Sequence, residues 1–173
     1  MKYKPVLIKG DITAQDADVI VNSANNRLTA GGGVSGAIHR VAGLGLTQEC
    51  RKLGYCPTGE ARITAGHNLL AKYVIHTVGP VFGQERGGEA EILKNCYVSS
   101  LRLAAEYGAK SIAFPCISTG IFGYPKDEAA KIAIWVVKSL DLPIEVRFVV
   151  SDDENYLLYS NLLASGNQQL RVG

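Results

Sequence analysis

Short apolar segments of strand length alternate with amphipathic helical segments along almost the whole chain, and this alternation limits the possible folds more than any other feature. Residues 17–22 are strand-like, with an apolar centre typical of a strand buried on both faces. Residues 32–41 are helical, because Val34, Ile38 and Val41 are spaced to share one face. Strands separated by helices predict an α/β fold with a largely parallel sheet covered on both faces.

The predicted elements also indicate where a ligand would bind. Strands are predicted at residues 4–9, 17–22, 60–65, 73–78, 111–114 and 145–150, and helices at 32–41, 47–53, 89–107, 126–140 and 153–164. In open sheets of this kind, ligands bind beyond the carboxyl ends of the strands. The loops after Asn22 and Phe114 are therefore the candidates for function.

The composition is that of one globular domain, predicted over residues 1–173. The chain is 47% hydrophobic and 20% charged, with a formal net charge of +2, and shows no repeat or linker. This charge argues against long nucleic acid as a partner, whereas a small anionic ligand needs only local dipoles. The sequence shows no apolar run of the ~20 residues that a membrane helix needs, and no signal-peptide pattern. We therefore expect a cytoplasmic protein without membrane contact.

The first loop, within residues 21–39, carries three consecutive glycines, Gly31, Gly32 and Gly33, just before a helix. Glycine lets another group approach the backbone closely, and the free N–H groups at a helix start attract phosphate. The alternative is a flexible turn without a ligand. Residues 31–36 also match G-x-G-x-x-G, but no acidic residue ends a strand about 20 residues later, which argues against a dehydrogenase-type dinucleotide fold.

The second loop, residues 114–125, follows a predicted buried strand and precedes a helix. Ser118 and Thr119 supply hydroxyl groups, and Gly120 supplies open backbone that can form an anion-binding nest. Phe122 and Tyr124 are either apolar walls of a site or core residues.

Several polar residues have simpler interpretations. Asp11 follows the first strand and either caps a turn or accepts a hydrogen bond from a ligand amino group. The four cysteines form no C-x-x-C pair and are expected as thiols, with Cys116 a small buried residue rather than a nucleophile. The three histidines lack metal-ligand spacing, so neither a metal nor a cofactor is expected. Trp135 lies among apolar helix residues and is predicted to be core.

Six short motifs in this order resemble the macro domain family, specifically its MacroD-type branch. They are Gly10-Asp-Ile-Thr13, Val21-Asn-Ser-Ala-Asn25, Gly31-Gly-Gly-Val34 with Gly36-Ala-Ile-His39, Cys56-Pro-Thr-Gly59, Ile75-His-Thr-Val-Gly-Pro80 and Ile117-Ser-Thr-Gly-Ile-Phe-Gly-Tyr-Pro125. They extend over nearly the whole chain, and together they are highly specific.

The resemblance implies a three-layer α/β/α fold around a mixed, largely parallel sheet, with a deep cleft for ADP-ribose, free, O-acetylated or linked to protein. It implies that Asp11 meets the adenine amino group, that Asn25 meets the distal ribose, and that the two loops grip the diphosphate. The ligand-binding residues that it implies are Asp11, Ile12, Asn25, Gly32, Gly33, Val34, Ser118, Thr119, Gly120, Ile121 and Phe122. Many relatives cleave ester-type links on the distal ribose.

Two departures from the family pattern bear on activity. Ser35 stands where MacroD-type hydrolases usually carry an aspartate that helps to orient or activate water, and a serine hydroxyl is a poor base. Ser35 therefore stays a doubtful catalytic residue beside Asn25. A Ser35–His39 pair is an alternative, because the two share a helix face. Ser151 occupies the position of an aromatic residue against adenine, and Tyr156 is its candidate substitute.

These features leave three hypotheses. The first is a module that binds ADP-ribose without turnover. The second is a hydrolase of ADP-ribosyl esters with weakened activity, in which Ser35 only positions water and the substrate diphosphate assists. The third, a nicotinamide-dependent oxidoreductase, is disfavoured because the acidic residue that binds ribose in such enzymes is missing.

Overall fold

A computed structural model describes residues 3–165, in which five α-helices flank a six-stranded sheet. The strands are β1 (Val6–Lys9), β2 (Val19–Ser23), β3 (Ala61–Ala65), β4 (Tyr73–Thr77), β5 (Ser111–Phe114) and β6 (Glu145–Val150). The helices are α1 (Gly33–Ala42), α2 (Leu44–Leu53), α3 (Glu89–Glu106), α4 (Lys126–Leu140) and α5 (Asp153–Ala164). The predicted α/β fold with helices on both faces of the sheet is confirmed.

The sheet is mixed but mostly parallel, in the order β1-β6-β5-β2-β4-β3. Only β3 and β4 pair antiparallel within the described chain, and the other four pairs of neighbours are parallel. The carboxyl ends of β1, β6, β5, β2 and β4 therefore share one edge, where both loops begin.

Alternation along the strands divides the interior into two cores, because successive side chains point to opposite faces of a sheet. On one face, Val19 and Val21 of β2 belong to the core that α3, α4 and α5 cover. On the other face, Ile20 packs in a second core with Ile38 of α1 and Leu46 of α2. The result is the three-layer α/β/α arrangement.

The structure differs from the sequence predictions at the start of α2 and in the segment after β1. Helix α2 begins at Leu44 rather than at residue 47, because Gly43, with φ of 86°, ends α1 and also precedes the first residue of α2. This left-handed conformation suits glycine, which has no Cβ. A short 3-10 helix, Ile12–Ala14, which the sequence analysis did not predict, follows β1.

The prediction that Trp135 is core is wrong. The residue is 37% exposed, and the Nζ atom of Lys94 lies 5.0 Å from its ring centroid. Trp135 shares the outward stripe of α4 with Glu128, Lys131 and Lys138, which are three or four residues apart along the helix.

In the described part of the chain, no helix combines the length and apolarity that crossing a bilayer requires.

Candidate functional site

Two adjoining cavities form a cleft at the carboxyl edge of the sheet. The asparagine chamber, which contains Asn25 and Ser35, has a volume of about 320 Å³. The aspartate chamber, which contains Asp11 and Ser151, has a volume of about 600 Å³. Residues of both loops line both cavities, so the chambers meet between the loops. These shared lining residues are Gly33, Val34, Cys116 and Gly120.

The structure brings all the candidate residues from the sequence together around this cleft. Asp11, Ile12 and Thr119 line the aspartate chamber. Asn25, Gly32, Ser35, Ser118, Ile121 and Phe122 line the asparagine chamber, and Gly33, Val34 and Gly120 line both. Their assembly follows from the parallel strands, whose carboxyl ends meet at one edge.

The first loop presents bare backbone at the start of α1. Gly32 is the N-cap residue, and no side chain caps this end of the helix. Gly33 has φ of +55°, and a Cβ atom built on Gly32 or Gly33 would meet no protein atom within 4 Å. The space beside these glycines is therefore open, at a helix start where unpaired N–H groups and the helix dipole favour an anion.

Gly36, by contrast, is glycine for internal packing. A Cβ atom at this position would lie 2.5 Å from the carbonyl oxygen of Gly31. The N–H group of Gly36 donates to the Gly32 carbonyl at 3.2 Å. Gly36 thus lets the loop fold back onto the first turn of α1, whereas Gly32 and Gly33 keep the space before that turn clear.

The second loop is held in a strained conformation by its own hydrogen bonds. Ser118 has φ of 66°, which is unusual for a residue other than glycine. The Tyr124 N–H group donates to the Ser118 carbonyl at 2.9 Å, and the Gly123 N–H group donates to Gly120 at 3.0 Å. These two hydrogen bonds close the loop on itself between Ser118 and Tyr124.

The aromatic residues of the second loop have separate roles. Tyr124 is buried, and its ring packs edge-on against Phe82 with the centroids 5.1 Å apart. Phe122 is half-buried and lines the asparagine chamber. Ile121 is 98% exposed at the tip of the loop. Of the two aromatic residues that were wall or core candidates, Tyr124 is core and Phe122 is a wall.

Asn25 is anchored at the mouth of the asparagine chamber. Its side-chain Nδ2 donates to the carbonyl and hydroxyl oxygens of Thr29 at 3.1 and 3.0 Å, and its Oδ1 accepts from the Thr29 N–H group at 3.1 Å. The neighbouring Asn26 turns away, and its Nδ2 donates to the Cys56 carbonyl at 2.9 Å. Asn25 is therefore fixed in place, and a ligand would have to share its polar atoms with Thr29.

Ser35 does not pair with His39. The Ser35 Oγ accepts a long hydrogen bond, 3.4 Å, from the Gly31 N–H group. Neither ring nitrogen of His39 has a hydrogen-bond partner among residues 3–165, and burial lowers the pKa of this histidine. A Ser–His dyad needs a hydrogen bond between the two side chains, so the structure does not supply this catalytic alternative.

Asp11 performs the capping role that its position predicts. Its Oδ1 accepts from the Thr13 N–H group at 2.9 Å and from the Thr13 hydroxyl at 2.8 Å. The side chain is exposed and lines the aspartate chamber. Because Oδ1 takes both of these bonds, Oδ2 remains to accept from an amino group of a ligand.

The sequence analysis placed Ser151 at the adenine end of the site but missed Asp152 and Asn155, which line the same wall of the aspartate chamber. The pairing of Lys9 with Val150 places the segment after β1 beside the segment after β6, so Ser151 and Asp152 come to line the chamber with Asp11. Asp152 caps α5 by accepting from the Asn155 N–H group at 2.7 Å. The spacing of an N-cap aspartate and Asn155 is a helix-start signal that could have indicated this turn.

The same wall has a distinct charge pattern. The hydrogen bonds from Asn155 lower the pKa of Asp152, and Lys126 donates to Glu154 at 3.0 Å. Tyr156 is 41% exposed and is absent from the described lining of the chamber, so the structure gives no support to its stacking on a base. The chamber is bounded by carboxylate, amide and aliphatic groups.

Cys116 lies at the junction of the chambers but is chemically quiet. It is half-buried, and burial raises the pKa of its thiol to about 12. The thiolate is the nucleophilic form of cysteine, so this residue is not a nucleophile at neutral pH. Within residues 3–165 there is no group of three or more His, Cys, Asp or Glu side chains that could hold a metal ion.

Comparison with known proteins identifies a family model, curated relatives and solved structures to which this chain is similar. The family model described as "Macro domain" matches residues 21–133. An O-acetyl-ADP-ribose deacetylase of Escherichia fergusonii is 48% identical over 171 residues, covering 94% of this chain and 97% of that protein. The ADP-ribose glycohydrolase MACROD1 of Rattus norvegicus is 57% identical over 135 residues, covering 78% of this chain and 52% of that protein. The chain thus spans about half the length of this second relative.

A solved structure agrees with the fold over nearly the whole chain. The macrodomain of Oceanobacillus iheyensis with ADP aligns at a TM-score of 0.88 and 39% identity, and the alignment covers 91% of this chain and 88% of that one.

Proposed function

Since the chain belongs to the macro domain family, we propose that its cleft binds ADP-ribose, either free or attached to a protein. The adenosine half occupies the aspartate chamber, the diphosphate crosses the junction between the loops, and the distal ribose occupies the asparagine chamber. One observation carries this proposal: two cavities meet at a junction formed largely by glycine backbone at an uncapped helix N-terminus.

The diphosphate has the most physical support. At the junction, Gly33 and Val34 present the first N–H groups of α1, and Gly120 presents backbone from the other side. Cβ atoms on Gly33 and Gly120 would meet nothing in the protein, so the fold itself does not require glycine there for packing. A ligand that presses against both backbones explains this open space, and an anion fits the dipole of the helix.

The adenosine half fits the aspartate chamber by its polarity. The carboxylate of Asp11 accepts hydrogen bonds and matches an exocyclic amino group, and Ile12 and Val149 offer aliphatic contact to a base. Asp152 with its lowered pKa stays ionised at neutral pH, and the Lys126 ammonium in the same lining lies 3.9 Å from it, so this side of the chamber carries both signs of charge.

The asparagine chamber is suited to holding a ribose but not to activating water. Its lining consists of Ser23, Ala24, Asn25, Gly31, Gly32, Gly33, Val34, Ser35, Cys116, Ser118, Gly120, Ile121 and Phe122. This lining includes no carboxylate and no imidazole, and its only ionisable group is the protonated Cys116 thiol. General base catalysis needs a group that accepts a proton near the working pH. We therefore infer that the chain is a binding module, and hydrolase activity is the second candidate.

Hydrolysis of ADP-ribosyl esters is the second candidate, and the relatives favour it. One relative, to which this chain aligns over almost its full length, is named an O-acetyl-ADP-ribose deacetylase. Another is named an ADP-ribose glycohydrolase. In this chain Ser35 would position water, and the diphosphate of the substrate would assist. Loss of a protein base lowers a rate by about 10²–10⁴, so such activity would be weak.

Two measurements on the unaltered protein test these proposals. Calorimetry with ADP-ribose should give submillimolar or tighter binding, with ADP binding more weakly because it leaves the asparagine chamber empty. A protein carrying mono-ADP-ribose on glutamate should be bound but not released over the time in which a MacroD-type hydrolase completes release. Rapid release would establish the hydrolase, and no binding of either ligand would refute both proposals.

A further inference from the structure

Two of the motifs that distinguish this sequence lie behind the cleft rather than in its lining: Cys56-Pro-Thr-Gly59 and the segment that ends in Val78-Gly-Pro80. We propose that Gly79 and Phe82 are positioning residues that hold the second loop in its binding conformation. They control affinity for the ribosyl half of the ligand without touching it. This inference rests on the proposed function.

Gly79 is in direct contact with the strained residue of the second loop. A Cβ atom built on Gly79 would collide with the Oγ of Ser118 and would lie 2.8 Å from the Cγ2 of Ile117. Gly79 is not among the residues with positive φ, so alanine is allowed there by backbone conformation. Glycine at this position is therefore required by the close approach of the Ser118 and Ile117 side chains and not by its backbone conformation.

Phe82 holds the other end of the same loop. Its N–H group donates to the Phe122 carbonyl at 2.8 Å, and its ring packs edge-on against Tyr124. Tyr124 in turn donates its N–H to the Ser118 carbonyl at 2.9 Å. The segment 79–82 thus contacts the loop at Ser118, Phe122 and Tyr124.

The segment behind the cleft also reaches the first loop. The Gly59 N–H group donates to the Val78 carbonyl at 2.8 Å, and the Cys56 N–H group donates to the Asn26 carbonyl at 2.8 Å. Asn26 directly follows Asn25 in the asparagine chamber. Both loops are thereby fastened to one support, which explains why these two motifs accompany the loop motifs in the sequence.

A change in segment 79–82 should weaken the binding of some ligands more than that of others. A methyl group at position 79 would displace Ser118, which lines the asparagine chamber together with Ile121 and Phe122. None of these three residues lines the aspartate chamber. Ligands that reach into the asparagine chamber should lose affinity. Ligands confined to the aspartate chamber should lose much less.

The test compares ADP-ribose with AMP by calorimetry on Gly79→Ala. Overpacking of this kind predicts that ADP-ribose binds at least about tenfold more weakly, whereas AMP changes by less than about threefold. The control is Gly66→Ala at the turn between β3 and β4, where a Cβ atom would collide with the Ala71 carbonyl oxygen. That variant should lose stability but keep the ratio of the two affinities.

A second change separates loop displacement from general damage. Ser118→Gly removes the Oγ and Cβ atoms of Ser118, including the closest atom that the new methyl group meets, and leaves the contact with the Ile117 Cγ2. Glycine also suits φ of 66° at this position. The double variant Gly79→Ala with Ser118→Gly should therefore bind ADP-ribose more tightly than Gly79→Ala alone. Phe82→Ala supplies an independent arm if Gly79→Ala does not fold, with about 3–10-fold weaker ADP-ribose binding from the lost aromatic pair.

The outcomes distinguish this inference from the proposed function. If the unaltered protein does not bind ADP-ribose, the proposed function fails. If it binds, and both Gly79→Ala and Phe82→Ala keep the ratio of ADP-ribose to AMP affinity, the positioning role is refuted. Equal losses for both ligands, without rescue by Ser118→Gly, would also refute it.

Discussion

The two chambers of the cleft are built in different ways. The aspartate chamber relies on side chains, with Asp11, Lys126, Asp152 and Asn155 in its lining. The asparagine chamber relies on backbone, with Gly31, Gly32, Gly33 and Gly120 around Asn25. One chamber therefore carries charge and hydrogen-bond selectivity, while the other carries shape and amide donors.

This difference between the two chambers indicates which changes could add or remove catalytic activity. A backbone-built chamber recognises phosphate and ribose through N–H groups, which do not titrate and cannot accept a proton. Catalysis in such a chamber has to come from an added side chain or from the ligand itself. We therefore expect that a single residue can separate binding from turnover in this fold, and Ser35 is the candidate for that residue.

The largest expected effect is on turnover in Ser35→Asp. If the asparagine chamber lacks only a catalytic base, the rate of ADP-ribose release from a glutamate-linked substrate should rise by about 10²–10⁴-fold. Aspartate near the start of α1 is also favoured by the helix dipole, so the variant should fold. A time course of release under single-turnover conditions measures the gain.

Ser35→Asn is the matched control, since it has the shape of aspartate but is a far weaker base. It should bind ADP-ribose and show no comparable gain. If Ser35→Asp binds the ligand but turns over no faster than the unaltered protein, the assignment of the missing base to this position is wrong.

Next in size is the loss of binding in Gly33→Glu. The side chain would enter the junction of the chambers at a residue with φ of +55°, and its carboxylate would lie beside the diphosphate. Charge repulsion of about 1–4 kcal/mol predicts about 5- to 1,000-fold weaker ADP-ribose binding by calorimetry, whereas the left-handed strain of about 1–2 kcal/mol lowers only the stability of the fold.

Gly54→Glu is the control for strain alone, because Gly54 has φ of +79° after α2, away from both chambers. Its affinity should match that of the unaltered protein. Unchanged affinity in a folded Gly33→Glu protein would show that the first loop does not contact the diphosphate.

A smaller effect is expected from Asp11→Asn, which tests the side-chain chamber. Asparagine keeps an oxygen for the Thr13 N–H group, so the local cap should survive. The charged acceptor for an amino group is lost, which predicts about tenfold weaker binding of ADP-ribose.

The specificity of Asp11→Asn should change as well. The inosine analogue of ADP-ribose carries a carbonyl in place of the amino group, and the asparagine NH₂ group can donate to it. The preference for adenine over hypoxanthine should therefore narrow. Equal affinities of the unaltered protein for the two ligands would show that Asp11 is only a cap.

The sequence was informative where residue type reports directly on backbone geometry. Gly33, with its positive φ and open surroundings, was recognisable because few residues serve such a position, whereas the positive φ of Ser118 was not visible from its residue type. The strands and helices were also predictable, because burial on both faces and helical spacing are visible in the apolar pattern. The exposure of Trp135 was not, because the surrounding apolar residues hid which stripe of α4 faces outward.

Contacts that depend on sheet order lay beyond sequence reasoning. Asp11 and Asp152 are far apart in the chain, and they line one chamber only because β1 pairs with β6 in the register of Lys9 with Val150. Likewise, the contact between Gly79 and Ser118 joins segments that follow β4 and β5, which are not neighbours in the sheet. The motif at residues 75–80 was visible, but its purpose was not.

The smallest expected effect is the change of ligand affinity with pH, which tests whether the asparagine chamber lacks a titrating charge. Burial raises the pKa of Cys116 to about 12, so the thiol is neutral at lower pH and the asparagine chamber holds no titrating charge between pH 7.5 and 9. The ratio of ADP-ribose to AMP affinity should therefore change by less than about twofold across this range, and Cys116→Ser should behave alike. A thiolate forming in this range would stand beside the diphosphate, and repulsion of about 1–4 kcal/mol would weaken ADP-ribose binding by at least about fivefold at pH 9. Such a loss, abolished by Cys116→Ser, would show that the backbone-built chamber carries a titratable charge after all.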